Sequence, residues 1–265
     1  MTALLIDRVM APGGLTARFQ PVAEAAPVLE RVCYLEGLVR GPAGTNLESA
    51  DVLFSYIRNK GETARMDRLC VSTVLAAAED LPSDVCVGLN VEAATLVSDL
   101  VFPEYLRCVA ASYGVIPSRL VIEIVEQTWP ADVKAFRSAV AELRAMGMRI
   151  ALDDIGRAHS NYRMMLETRP DFFKIDRYFV SGAHRDPLRR EVLRSIADLA
   201  RSFGARVVAE GIEEQADLDA VRALGIELVQ GFLVSPLVAD APGSGARWRA
   251  GALPAVTELK EEGRC

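Results

Sequence analysis

Short apolar runs alternate with longer amphipathic stretches along most of the chain. The runs at 15–22, 32–39, 85–91, 120–125, 149–153, 172–175, 206–210 and 228–231 have the length and apolar content of strands. Helical spacing of apolar positions predicts helices at 49–59, 64–79, 101–113, 131–146, 160–168, 188–203 and 214–224. A strand followed by a helix, repeated, predicts parallel pairing with right-handed crossovers, and eight strands suffice to close an α/β barrel. The first two runs break the pattern. Only about nine residues separate Val22 from Val32, too few for a helical crossover, so a hairpin and one antiparallel strand near the N-terminus are expected.

Composition narrows this reading. At 265 residues, 51% apolar and 25% charged, the chain matches one barrel of about 250 residues and shows no sign of disorder. It divides into an N-terminal extension (1–14), a barrel (15–238) and a weakly structured tail (239–265). A net charge of −6 with no Lys/Arg cluster argues against a surface that tracks a nucleic-acid polymer. Cys33, Cys70, Cys86, Cys108 and Cys265 are odd in number and widely spaced, as free thiols in a reducing cytoplasm would be. The start lacks the basic and apolar regions of a secretory signal, and no segment reaches the roughly 18 to 20 apolar residues of a membrane span. A cytoplasmic protein without membrane insertion is expected.

The candidate chemistry lies where the apolar runs stop. In barrels of this type functional groups sit at the C-terminal ends of the strands, and here those ends carry Gln20, Glu36, Asn90, Glu123, Asp153, Asp154, Lys174, Glu210 and Gln230. The adjacent acids Asp153 and Asp154 read either as a solvated turn or helix cap, or as cation ligands. Were the five acids to converge, each like-charge pair near 4 Å would cost roughly 4 kcal/mol at an effective dielectric of 20. Divalent cations would remove that cost, and all-oxygen ligands select Mg²⁺ or Mn²⁺. Zinc is disfavoured, because only His159 and His184 are present and the cysteines are scattered. Paired carboxylates can hold two metals, which points to in-line displacement at phosphorus and so to phosphodiester hydrolysis. Lys174 reads either as a snorkelling surface lysine or as a fixed charge steering the attacking water.

The motifs, in order, are Phe19-Gln20-Pro21-Val22, Glu36-Gly37-Leu38-Val39-Arg40, Leu89-Asn90-Val91, Glu123-Ile124-Val125-Glu126, Leu152-Asp153-Asp154-Ile155-Gly156, Lys174-Ile175-Asp176, Val208-Ala209-Glu210-Gly211 and Gln230-Gly231-Phe232. Together they resemble the EAL-domain family of cyclic di-GMP phosphodiesterases. The resemblance covers about Leu15 to Leu237 and implies a modified TIM (β/α)8 barrel that hydrolyses cyclic di-GMP to linear pGpG with two metal ions. It implies Glu36, Asn90, Glu123 and Asp153 as ligands of the first metal and Asp153 and Asp154 as ligands of the second. Glu210 reaches the second metal directly or through water. Lys174 orients the water, Gln230 supports the site, and Gln20, Leu38 and Arg40 contact the substrate. Mg²⁺ or Mn²⁺ are the implied cofactors, with Ca²⁺ inhibitory, and a homodimer is the implied assembly.

Three departures from the family pattern stand out. The signature Glu-Ala-Leu is Glu36-Gly37-Leu38, a change to a more flexible residue that is expected to be mild. The loop after the fifth strand reads Asp154-Ile155-Gly156-Arg157-Ala158-His159-Ser160-Asn161 in place of Asp-Phe-Gly-Thr/Ala-Gly-Tyr-Ser-Ser. The resemblance assigns Glu126 to holding that loop, which couples dimerisation to metal binding, and Arg157 offers Glu126 a different partner. The ending after Gln230 is one residue shorter than usual. The altered loop keeps open a second reading, a catalytically weak module that binds cyclic di-GMP or a protein partner as a sensor.

Overall fold

The computed structural model describes residues 5–26, 31–79, 81–125, 129–156, 162–234 and 238–239. Its first half comprises α1 (Leu5–Met10), β1 (Thr16–Glu24), β2 (Val32–Arg40), α2 (Ala50–Lys60), α3 (Thr63–Ala77), β3 (Val87–Glu92), α4 (Thr95–Ser98), α5 (Phe102–Ser112) and β4 (Leu120–Val125). The second half comprises α6 (Val133–Ala145), β5 (Arg149–Ile155), α7 (Tyr162–Thr168), β6 (Phe172–Ile175), α8 (Arg177–Val180), α9 (Pro187–Phe203), β7 (Arg206–Ala209), α10 (Gln215–Ala223), β8 (Leu228–Val229) and β9 (Val238–Ala239).

Strands β2 to β8 pair in parallel and in chain order. β1 closes the circle by pairing antiparallel with both β2 and β8. The predicted closed eight-stranded barrel with one antiparallel strand is therefore what the chain forms, with β9 adding a short antiparallel pairing to β1 at Arg18 and Phe19. The segment read as an N-terminal extension contains α1, and its Val9 is fully buried in the core.

Local chemistry explains the elements. α9 shows it best: Asp186 accepts hydrogen bonds from the Leu188 and Arg189 amides, Pro187 opens the helix, and Gly204 closes it in the left-handed conformation. Leu193, Ala197 and Ala200, spaced four and three apart, form its buried face.

The core has two parts. The larger lies between strands and helices. The smaller fills the barrel interior and consists of Val22, Tyr34, Val121, Ala151, Phe172, Val208 and Leu228. Because strand side chains alternate with period two, the residue two positions further toward the C-terminal mouth also points inward. Those residues are Gln20, Glu36, Glu123, Asp153, Lys174, Glu210 and Gln230. A step of two residues along seven of the eight barrel strands thus separates an apolar floor from a polar, mostly charged layer.

Gly37 corrects the expectation that it supplies flexibility. It does not adopt positive φ, and its role is spatial: a Cβ there would stand 2.3 Å from Cγ1 of Val74. Val74, on α3, occupies the volume an alanine would need. Gly37→Ala is expected to destabilise the fold by about 1–3 kcal/mol through overpacking. In urea unfolding, Gly37→Ala combined with Val74→Ala should be less destabilised than the two single changes added together. Strict additivity would show that the two positions do not compete for space.

Candidate metal and ligand site

Lys174 is 1% exposed and sits at the centre of the charged layer, which rules out the snorkelling reading. Its Nζ lies 2.9 Å from Glu210 Oε1, 3.1 Å from Glu36 Oε2 and 3.3 Å from Asp153 Oδ1, and it pairs most closely with Glu123. Strands β2, β4 and β5 and the residue directly after β7 supply those carboxylates, so the barrel geometry itself assembles them. Glu36 is further held by Nδ2 of Asn90 at 3.0 Å and Nε2 of Gln230 at 2.6 Å.

One ammonium cannot neutralise four carboxylates. Burial, reinforced by Glu36, pushes the Glu123 carboxyl up to about 8, and burial likewise pushes Glu210 well above the usual range. Glu36 goes the other way: burial opposes its charge, but Lys174 and the donors Asn90 and Gln230 outweigh it and hold its carboxyl low. Burial also opposes the charge of Lys174, and Asp153, Glu123, Glu210 and Glu36 outweigh that and raise it well above the usual lysine range. The site is thus built for more positive charge than the protein supplies, and protons or cations must provide it. Oε1 of Glu123 is buried and accepts no hydrogen bond from any described residue.

Asp153 and Asp154 are neither a solvated turn nor a helix cap. Both lie within β5 and are half-buried. Adjacent strand residues normally face opposite ways. Here the register with β6 shifts between Leu152 and Ile155, and Asp154 adopts φ 53°, a left-handed conformation unusual outside glycine. As a result Asp153, Asp154 and Glu210 each offer a carboxylate oxygen within 4.8 Å of the others'. Carboxylates alone at that spacing suit a hard divalent cation. The sequence-predicted ligands therefore fall together, with Glu36, Asn90, Glu123 and Lys174 beside this trio. Glu126 and the loop 157–161 lie outside the described residues.

A cavity of about 530 Å³ opens above the charged layer. Glu36, Leu38, Arg40, Asn90, Asp153 and Asp154 are among its lining residues. Gln20 is not in its lining and instead accepts a hydrogen bond from Nε2 of Gln230 at 3.1 Å. Its wall also includes residues that the sequence reading did not single out: Asp51, Phe54, Ser55 and Arg58 of α2, with Asp67 of α3 and Glu92 of β3. Arg58 donates to Glu92 at 2.7 Å and to Ser55 at 3.3 Å. Asp67 is almost fully buried, and its Oδ2 accepts from the Glu92 amide at 2.9 Å and from the Thr95 hydroxyl at 2.5 Å. The signal for this wall was present as Asp51, Phe54, Ser55 and Arg58 recurring at helical spacing.

A second acidic group, His184 with Glu214 and Asp217, does not offer a comparable site. Nδ1 of His184 lies 2.6 Å from Asp217, and its Nε2 accepts from Arg185 at 2.6 Å. Both ring nitrogens are therefore engaged. Asp217 also accepts from the amides of Gly182 and His184, so the cluster ties a turn to α10.

Free thiols are found at Cys33, Cys70, Cys86 and Cys108. Cys70 is buried, whereas Cys33 and Cys86 are half-buried against the barrel floor. No helix among the described residues is long and apolar enough to cross a membrane.

Comparison with known proteins places this architecture. The EAL domain family model matches residues 6–237. The cyclic di-GMP phosphodiesterase PdeL of Escherichia coli is 32% identical over 60% of this chain and 43% of its own length. The probable cyclic di-GMP phosphodiesterase PdeA of the same organism is 27% identical over 76% of this chain and 28% of its own length. The chain thus spans less than half the length of either relative. Among solved structures, Klebsiella pneumoniae BlrP1 in its calcium and cyclic di-GMP complex superposes with a TM-score of 0.76 at 26% identity, covering 89% of this chain and 58% of that one. A standalone EAL protein of Vibrio cholerae in its cyclic di-GMP-bound form shares the fold, with a TM-score of 0.75 at 24% identity, covering 86% of this chain and 94% of that one. With the family's fold and its ordered motifs both present, the chain belongs to the EAL domain family.

Proposed function

We propose that this protein hydrolyses one phosphodiester bond of cyclic di-GMP to give linear pGpG, with residues 15–238 as the catalytic barrel. The observation that carries this reading is the buried ring of Glu36, Glu123, Asp153 and Glu210 around Lys174, open to a cavity lined by Arg40. Glu36, Asn90, Glu123 and Asp153 would hold one divalent cation, and Asp153, Asp154 and Glu210 a second. Mg²⁺ or Mn²⁺ bound there would supply Lewis acidity and lower the pKa of water. The relatives' names and the BlrP1 complexes with cyclic di-GMP and calcium or manganese support this assignment.

The protein's own groups do the rest. Lys174, held among carboxylates, fixes the attacking water through a charge that does not titrate near neutrality. Among the described residues Arg40 donates to the carbonyl of its neighbour Val39, so most of its donors remain for a phosphate, and Leu38 packs against the substrate. Gln230 and Gln20 form a linked pair that steadies Glu36. Glu126 is assigned to holding the loop after β5 at a homodimer contact, and the protein works in the cytoplasm.

Incubation with cyclic di-GMP and Mg²⁺ or Mn²⁺ should yield pGpG, with Ca²⁺ supporting binding but not turnover. Absence of product with both metals would refute the enzymatic reading. The sequence Arg157-Ala158-His159 favours one alternative, a sensor that binds the dinucleotide without cleaving it. Saturable binding without product would establish that alternative.

A further inference from the structure

Among the described residues, Tyr34 is the one side chain with a hydroxyl in the apolar floor of the barrel. It is fully buried, its ring lies 5.5 Å from that of Phe172, and its hydroxyl has no hydrogen-bond partner among the described residues. A phenylalanine would fill this layer as well, and a buried hydroxyl left unsatisfied destabilises the fold. Such an orphan calls for a reason.

Gly88 shows what the tyrosine approaches. On β3 it stands beside Glu36 in register, and β4 flanks it on the other side. A Cβ at Gly88 would lie 2.3 Å from Glu123 Oε1 and 3.0 Å from Tyr34 Cε2. The absent side chain therefore leaves a gap in which the tyrosine ring from β2 meets the carboxylate from β4. Each brings an unsatisfied atom: the Tyr34 hydroxyl can donate, and Glu123 Oε1 can accept.

We propose that Tyr34 is a positioning residue for Glu123, its hydroxyl donating toward Oε1 across Gly88 through one bridging water, and so orienting that carboxylate as a metal ligand. This rests on the reading of Glu123 as a ligand under Proposed function. Carboxylate oxygens carry two lone pairs, so Oε1 can accept this bond and still coordinate, and such outer partners hold ligands in productive geometry. Burial, with Glu123 next in weight, pushes the tyrosine hydroxyl well up. It therefore stays a donor at any working pH.

The test compares Tyr34→Phe with the unaltered chain in two measurements, Mn²⁺ affinity by electron paramagnetic resonance titration and thermal unfolding in EDTA. The expected result is Mn²⁺ binding weakened about tenfold or more, with a melting temperature in EDTA within a few degrees of that of the unaltered chain, because the substitution removes one hydrogen bond and leaves the packing of the ring in place. Unchanged Mn²⁺ affinity would overturn the proposal, and so would a loss of affinity accompanied by an equal loss of metal-free stability. If the unaltered chain binds no Mn²⁺, the metal-centre reading itself fails, an outcome distinct from either.

Discussion

Replacing Lys174 with methionine should produce the largest single effect in the molecule. The substitution keeps the length and apolar body of the side chain, so the interior remains filled. What disappears is the only positive charge paired with Glu36, Glu123, Asp153 and Glu210 among the described residues. Removing one partner from a buried ion pair typically costs about 3–5 kcal/mol, and here four carboxylates lose the same partner. In EDTA the variant should melt on the order of 10 °C below the unaltered chain. Adding Mn²⁺ should stabilise the variant more than it stabilises the unaltered chain, since the cation then supplies charge that the lysine no longer does.

Activity should not return with stability. If Lys174 fixes the attacking water, a fully Mn²⁺-loaded Lys174→Met protein should turn over cyclic di-GMP at least about a hundredfold more slowly. Two results would break the argument: equal melting temperatures in EDTA, which would mean that the carboxylates do not depend on the lysine, or near-normal turnover in the loaded variant. The two readouts separate electrostatic support of the fold from catalysis at a residue that the structure implicates in the first and the proposed function in the second.

The barrel and most of its charged layer were legible because they follow from local rules. Parallel order follows from strand–helix alternation, and the antiparallel β1 follows from a link too short for a crossover. Inward-facing Glu36, Glu123, Lys174 and Glu210 are each two residues beyond an apolar floor residue, a period visible in the sequence. Other features depend on contacts between distant segments. That Asp153 and Asp154 share one site requires a register shift and a positive φ, and alternation alone would have sent them to opposite faces. Gly37 looked like a gain in flexibility, yet it is a vacated volume that Val74, 37 residues away, occupies. Arg58 and Glu92 lie 34 residues apart, and only tertiary packing makes their pair a cavity wall. Lys174 stayed ambiguous for the same reason: a lysine in an apolar strand has one meaning at a barrel surface and another at its centre.

Asp67 leads to the second large prediction, which concerns pH. Burial in α3, only partly offset by hydrogen bonds from Thr95 and the Glu92 amide, raises its carboxyl to about 7. An unfolded aspartate titrates near 3.9. The folded state therefore holds a proton that the unfolded state has released, and stability falls as pH rises across that interval. Below about pH 4 both states are protonated and the penalty vanishes; above about pH 7 it is complete, on the order of 4 kcal/mol. Asp67→Asn removes the titration while its amide oxygen can still accept from Thr95 and Glu92. The variant should match the unaltered chain near pH 4, draw ahead between pH 5 and 7, and hold a constant advantage above that. Urea unfolding of both proteins at successive pH values measures the difference directly. Parallel stability curves would show that Asp67 stays ionised in the folded state, and its two hydrogen bonds would then have to outweigh its burial.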